Sequence, residues 1–240
     1  MQLEDNKFAV IRADKTGIDA RNQMAQIFAD GFTQWLGYFS KDKNVIAKAF
    51  AHMFVLDQFY VATVYNKIAG MVACTDCTTL SVRLNKKELR KYLGFVKGSI
   101  AGIVLKKEFE SPFKNPPADT GSIEYVGTAS EFRGKGVASQ IIKYVFDNTP
   151  YSEYIIEEVA DTNIPAMNLY KKIGFEEYKR TPVPQKNAKK IGINYLISLK
   201  LRKHSKQITR ALEEDEIKNN KENMRLTLIS MKGPMLMELY

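Results

Sequence analysis

Cysteine, histidine and tryptophan are scarce in this 240-residue chain, at two, two and one residues. Two cysteines cannot build a disulfide framework. Cys74 and Cys77 have the C-x-x-C spacing of a redox pair, but they fall at the end of a strand-like run and no second pair exists to complete a zinc site. They are expected to be core or edge thiols. His52 and His204 lie on unrelated segments, so no metal centre and no histidine chemistry is expected. Long apolar runs are also missing. Leu93 to Leu105 is 13 residues long and carries Lys97, against the ~20 that a membrane helix needs. Met1 to Ala20 holds no charged-then-apolar leader, and with so few cysteines the expected setting is reduced and cytoplasmic. Internal repeats are absent. With 45% hydrophobic and 26% charged residues, the composition excludes disordered and low-complexity classes. A chain of this size can bury a core without a metal or disulfide staple.

The net charge of +9 is unevenly spread. Residues 80–119 hold nine basic and four acidic side chains, 171–203 hold ten and two, and 120–170 hold three and seven. Anionic partners such as nucleic acid, membranes or phosphorylated ligands are permitted by the total. No basic motif interleaved with aromatics supports nucleic acid, so neither nucleic acid nor membrane is expected as a partner. The acidic stretch favours a cationic ligand.

Periodicity orders the elements. Lys7–Arg12 reads as a strand; Met24, Ile27, Phe28, Gly31, Phe32 and Trp35 mark one helix, and Val45, Ile46, Ala49, Phe50, Met53 and Phe54 a second. Gln58–Tyr65 and Ile68–Thr75 form a hairpin with its turn at Asn66-Lys67. Residues 80–119 look inserted, with a rough apolar face whose glycines, Gly94, Gly98 and Gly102, fall four apart. Such a face would admit a close backbone, in a homodimer or against the core. Ile123–Thr128, a helix through Val137 to Phe146, Tyr154–Val159, a helix from Asn163 to Gly174, and strands Phe175–Tyr178 and Ile193–Leu201 complete the core. Residues 1–202 are read as one domain and 203–240 as a C-terminal extension.

Chemistry concentrates in Ile123–Ser139, IEYVGTASEFRGKGVAS, where a strand meets a helix through Arg133, Gly134, Lys135 and Gly136. The first amides of a helix have no intrahelical acceptor, the helix dipole is positive there, and glycines admit an anion closely. A nucleotide-triphosphate loop fails, because Ala129 and Gly136 stand where it needs glycine and Ser/Thr. A dinucleotide fingerprint is approximated by Gly134, Gly136 and Ser139, but it lies past mid-chain with too little sequence left for a doubly wound sheet.

Arg133-x-x-Gly136-x-Ala138 after a hydrophobic strand resembles the coenzyme A pyrophosphate loop of the GNAT superfamily of N-acetyltransferases. Asn163, Ala166, Leu169, Tyr170, Gly174 and Phe175 are similar to that superfamily's later N-x-x-A-x-x-L-Y-x-x-x-G-F signature. The resemblance covers residues 7–201 in element order and 123–178 in motif detail. It implies an α/β fold: a mixed, mostly antiparallel twisted sheet with splayed central strands and helices on both faces. It also implies acetyl-CoA as co-substrate, bound by the backbone of Val126, Gly127 and Thr128 and by Arg133, Gly134, Lys135, Gly136, Val137, Ala138 and Ser139, with Asn163 capping a helix beside it. Thr128 stands where the superfamily usually has valine.

Tyr170 matches the superfamily's general acid. Glu158, twelve residues earlier, matches a glutamate that some members use as base, and Glu124 is its rival. The implied activity is direct transfer of an acetyl group to a primary amine of a small molecule or peptide, without a metal. The alternative is a non-catalytic acyl-CoA sensor or interaction module.

Overall fold

The computed structural model describes residues 8–111, 113 and 118–203. The chain runs β1 (Ala9–Arg12), α1 (Ala20–Leu36), α2 (Lys43–Phe50), β2 (Phe59–Val64), β3 (Lys67–Thr75), α3 (Lys86–Leu93), α4 (Phe95–Phe109), β4 (Thr120–Thr128), α5 (Val137–Asn148), β5 (Glu153–Ala160), α6 (Ile164–Ile173), β6 (Glu176–Pro182), α7 (Gln185–Ile191) and β7 (Tyr195–Arg202). The strands form one seven-stranded sheet in the order β1-β2-β3-β4-β5-β7-β6. Every neighbouring pair is antiparallel except β4 and β5. The mixed, mostly antiparallel α/β architecture expected from the sequence is therefore what forms.

Strand alternation explains the two cores. In β2, Phe59 and Val61 face the layer built from α1, α2, α3 and α4, while Ala62 and the partly buried Tyr60 face the layer of α5 and α6. Phe28, Phe50, Phe54 and Phe59 fill the first layer and Ile141, Ile142, Tyr154 and Ile173 the second. Helices thus cover both faces. Their starts follow the capping residues: Asp19, Asp42, Asn85 and Asn163 each accept a first-turn amide. The β2–β3 turn sits one residue earlier than expected, on Tyr65 and Asn66. Both have positive φ, 47° and 59°, as a type I′ hairpin turn requires.

The insertion differs from the single helical face suggested by its pattern. Gly94, with φ 78°, breaks it into α3 and α4, which fold back on each other. A Cβ on Gly98 would lie 2.5 Å from the Arg90 Cα, and one on Gly102 would lie 3.0 Å from the Lys86 Cγ. The glycine face is therefore consumed within the chain, by α3, and is not an open dimer surface. Three bonds, to His52, Met53 and Val55, anchor the hairpin, and a fourth closes it on itself. The Val55 amide donates to the Ser81 carbonyl at 2.9 Å and the Arg83 amide to the Met53 carbonyl at 2.7 Å. The Leu84 amide donates to the Glu110 carboxylate at 2.6 Å and the Asn85 amide to His52 Nε2 at 2.8 Å.

The short α7 was not expected, although Pro184 before it and Gly192 after it are ordinary helix punctuation. The extension expected at 203–240 lies, apart from Lys203, outside the described residues. Among the described residues no helix is long and apolar enough to cross a membrane.

Two predictions follow from these contacts. Alanine normally stabilises an exposed helix interior relative to glycine by ~1 kcal/mol. Gly31→Ala, with open space around its Cβ, should show that gain in urea unfolding. Gly98→Ala should instead destabilise, by about 1–3 kcal/mol as overpacking does. His52 accepts a bond only when Nε2 is unprotonated, and burial lowers its pKa below 6.5. Its folded pKa being the depressed one, this stabilisation is complete above pH 6.5 and is lost as pH falls from there through the folded value. The melting temperature should fall over that window, and His52→Gln, which accepts the same bond without titrating, should flatten the fall.

Candidate functional site

The parallel pairing of β4 with β5 ends after three registers, Thr120↔Glu153, Gly121↔Tyr154 and Ser122↔Ile155. Beyond Ser122 the strands diverge, and the β5-facing edge of Ile123–Thr128 has no strand partner. On its other edge β4 stays paired with β3 as far as Gly70↔Thr128. A cleft of about 1520 Å³ opens at the divergence, walled by β4, β5, the start of α6, and Phe32 and Phe109 from α1 and α4.

Two bulges shape its floor. The β3–β4 register slips between Met71 and Ala73, and the β5–β7 register slips between Ile156 and Val159. Tyr125 and Glu158 take positive φ there, 49° and 58°. An extra residue in each strand lets two consecutive side chains reach one side. Glu124 with Tyr125, and Glu157 with Glu158, all line the cleft. Strict alternation would have sent one of each pair to the opposite face.

The carboxylates differ in their partners. Glu124 accepts the hydroxyls of Thr75 at 3.0 Å and Ser81 at 2.5 Å, both nearly fully buried. Glu157 accepts the hydroxyls of Ser198, at 2.7 Å, and Tyr178. Glu158 has no hydrogen bond or ion pair among the described residues. Its pKa is raised above the usual glutamate value by desolvation first, then by the charges of Glu108 and Glu157, with Lys179 opposing.

Tyr170 lies at the cleft, 5% exposed, its ring edge-on to Phe175 at 5.9 Å. Its hydroxyl has no partner among the described residues, and burial pushes its pKa upward, so it stays protonated. Tyr125 sits among Phe28, Phe32, Phe59 and Phe109, and burial likewise raises its phenol.

Of the residues singled out from sequence, Glu124, Val126, Glu158, Asn163 and Tyr170 share this cleft. Gly127 to Ser139 do not line it and continue from it along β4 into the loop. Gly127 is glycine because a Cβ would meet Ile27 of α1 at 2.7 Å; on β3, Gly70 clears Val137, whose Cγ1 would be 2.6 Å away. That clearance seats the start of α5 against the sheet. Gly134 and Gly136 both have φ 75°, and Gly136 caps α5 without a side chain. The amides of Val137, Ala138 and Ser139 therefore have no i−4 carbonyl and no side-chain cap. Arg133 turns back, its Nε donating to the Thr128 carbonyl at 3.4 Å, while Lys135 Nζ lies 5.4 Å from the Phe132 ring centroid. The Asn163 Oδ1 accepts the Ala166 amide at 3.3 Å.

Both cysteines are buried and unpaired, and burial first of all pushes both thiols up to about 12, so neither is a thiolate nucleophile near neutrality. Among the described residues no cluster of three or more histidine, cysteine, aspartate or glutamate side chains could hold a metal. Sequence reasoning missed Tyr125, Glu157 and Glu108. The bulges that admit the first two leave no mark on hydrophobic periodicity, and Glu108 reaches the cleft only through the α3–α4 fold-back.

No curated protein is a significant sequence match to the chain. Among solved structures, an N-acetyltransferase from Staphylococcus aureus Mu50 is similar, with TM-score 0.51 and 17% identity over 80% of this chain and 100% of that one. A GCN5-related N-acetyltransferase from Kribbella flavida reaches TM-score 0.49 at 13% identity, over 81% of this chain and 97% of that one. A GNAT family acetyltransferase from Elizabethkingia anophelis, solved with acetyl-CoA bound, reaches 0.38 at 17% identity, over 60% and 74%. Residues 22–175 match the model of the acetyltransferase (GNAT) family, which spans the helices of the first layer, the splayed strands, the glycine loop and α6. By that match the chain belongs to the GNAT family, whose members carry out acetyl-CoA-dependent acetyl transfer.

Proposed function

We propose that the chain transfers the acetyl group of acetyl-CoA directly to a primary amine, of a small molecule or a peptide, in the cleft between β4 and β5. The observation that carries this reading is the early end of the β4–β5 pairing beside Tyr170, a largely buried residue whose hydroxyl has no partner among the described residues. A strand edge with unpaired amides suits the amide-bearing arm of the cofactor, and Val126–Thr128 would bind it. The free amides of Val137–Ser139, at the positive end of α5 and made approachable by Gly134 and Gly136, would take the pyrophosphate. Lys135 adds positive charge there; Arg133 shapes the loop through Thr128. Acetyl-CoA supplies a thioester carbonyl and a sulfur that must be protonated as it leaves.

Tyr170, protonated and lining the cleft, is the proposed acid. Glu158 is the proposed base, because its raised pKa lies nearer the operating pH and no donor occupies its lone pairs. Glu124, held by Thr75 and Ser81, contributes negative charge that draws the ammonium in. Asn163 fixes the start of α6 and hence Tyr170. Direct transfer is preferred over an acyl-cysteine route because both thiols are held protonated by burial.

Calorimetry with acetyl-CoA should show micromolar binding that Gly136→Glu abolishes, with NADH as the inactive control. Binding without turnover on any amine would favour an acyl-CoA sensor instead. Tyr170→Phe should lower kcat by ~10²–10⁴-fold, the range of general acid catalysis, with cofactor affinity kept; unchanged kcat removes it as the acid. The kcat/KM profile should lose activity on the acidic side at a pH above the ordinary glutamate value of 4.5, because Glu158 must be ionised to accept a proton. Glu158→Gln should remove that limb while Glu124→Gln keeps it.

A further inference from the structure

Glu108 lies on the last turn of α4, in the hairpin inserted between β3 and β4, yet it lines the same cleft as Glu158. Neither carboxylate has an ion-pair or hydrogen-bond partner among the described residues. Each is close enough to the other that the charge of Glu108 raises the pKa of Glu158. Lysines are present, but among the described residues none forms an ion pair with either carboxylate. Lys43 is bonded to Asp30 at 2.8 Å, and Lys107 and Lys179 border the cleft without reaching either carboxylate within salt-bridge distance. Glu124 and Glu157 are each spent on two hydroxyl donors. Tyr170, nine-tenths buried with an unpartnered hydroxyl at the same cleft, independently marks this space as one that a ligand completes.

We propose that Glu108 is an acceptor-specificity residue that binds a second cationic group of the amine substrate, so that the preferred acceptor is a dication. The proposal rests on the acetyl-transfer reading above. While Glu158 serves the amine that is acetylated, the carboxylate across from it on α4 is left for another charge. A monoamine leaves Glu108 uncompensated, whereas an acceptor carrying a further ammonium or guanidinium pairs with it inside a walled cleft, where screening is weaker than on open surface. The second charge can come from a free diamine or from a basic side chain beside a peptide amine; the chemistry at Glu108 is the same.

The test uses the full chain at pH 8, with saturating acetyl-CoA and thiol release as readout. One arm compares 1,4-diaminobutane with n-butylamine. A second compares a peptide bearing lysine after its free N-terminal residue with the same peptide bearing alanine. KM should be lower for the dication by about tenfold in at least one arm, the size of one charge-assisted contact. The arm that shows it identifies the source. In Glu108→Gln that preference should collapse, the dication KM rising to that of the monoamine, and the acidic limb of the pH profile should move to lower pH. Equal KM values in both arms, or a preference that survives Glu108→Gln, would overturn the proposal. Where no amine turns over, calorimetry of 1,4-diaminobutane against the coenzyme A complex decides: binding weakened by Glu108→Gln supports the subsite, and no binding overturns it. Failure to bind acetyl-CoA at all would instead overturn acetyl transfer.

Discussion

A strand that leaves its neighbour exposes a row of unpaired amides and carbonyls, and the rest of this molecule is arranged around one such departure. β4 holds β5 only over Thr120–Ser122. Unpaired backbone is tolerated at an open cleft because water or a ligand can satisfy it, as it could not be in a closed core. The other edge of β4 stays bonded to β3, which holds the strand in the sheet. Helices from opposite layers meet two neighbouring strands, β4 and β3. Ile27 of α1 closes on Gly127, and Val137 at the start of α5 closes on Gly70. The free edge and the free helix amides are thus consecutive parts of one surface.

The bulges turn that surface into a chemical site. One extra residue in each splayed strand puts Glu124 and Tyr125, and Glu157 and Glu158, at the cleft. Two of the three glutamates are then fixed by hydroxyl donors and one is left free, so a single sheet holds carboxylates in different surroundings. This separation by environment is what acid–base chemistry at one pH needs. Tyr170 lines the same cleft from α6, on a helix started by Asn163 and stopped by Gly174 with φ 107°.

The inserted hairpin acts as a wall. Its fold-back depends on Gly94 to break the helix and on Gly98 to let α4 approach the α3 backbone. The bond from Leu84 to Glu110 closes it on itself, and bonds from Asn85 to His52 and from Lys97 to the Phe39 carbonyl fasten it over the first layer. Through it Phe109 and Glu108 reach the cleft.

Much was legible from the residues alone. Periodicity located the main helices and strands, and the order around Ile123–Ser139 and Asn163–Phe175 pointed to the phosphate loop, the tyrosine and the GNAT resemblance. These are local features: a helix start, a cap, a glycine and an alternating strand are written within a few residues. Register slips, the choice between Glu157 and Glu158, the hydroxyl partners of Glu124 and the arrival of Glu108 were not legible. Each joins residues far apart in the chain, such as Ser81 to Glu124 or Glu108 to Glu158, and nothing local records which will meet. By itself the sequence determined most of the elements, their order and the glycine-rich turn into α5, because those follow from short-range sterics and hydrogen bonding. Only the tertiary structure decided which carboxylates share a cleft and which stay unpaired, because charge and solvation depend on what packing brings within a few ångströms.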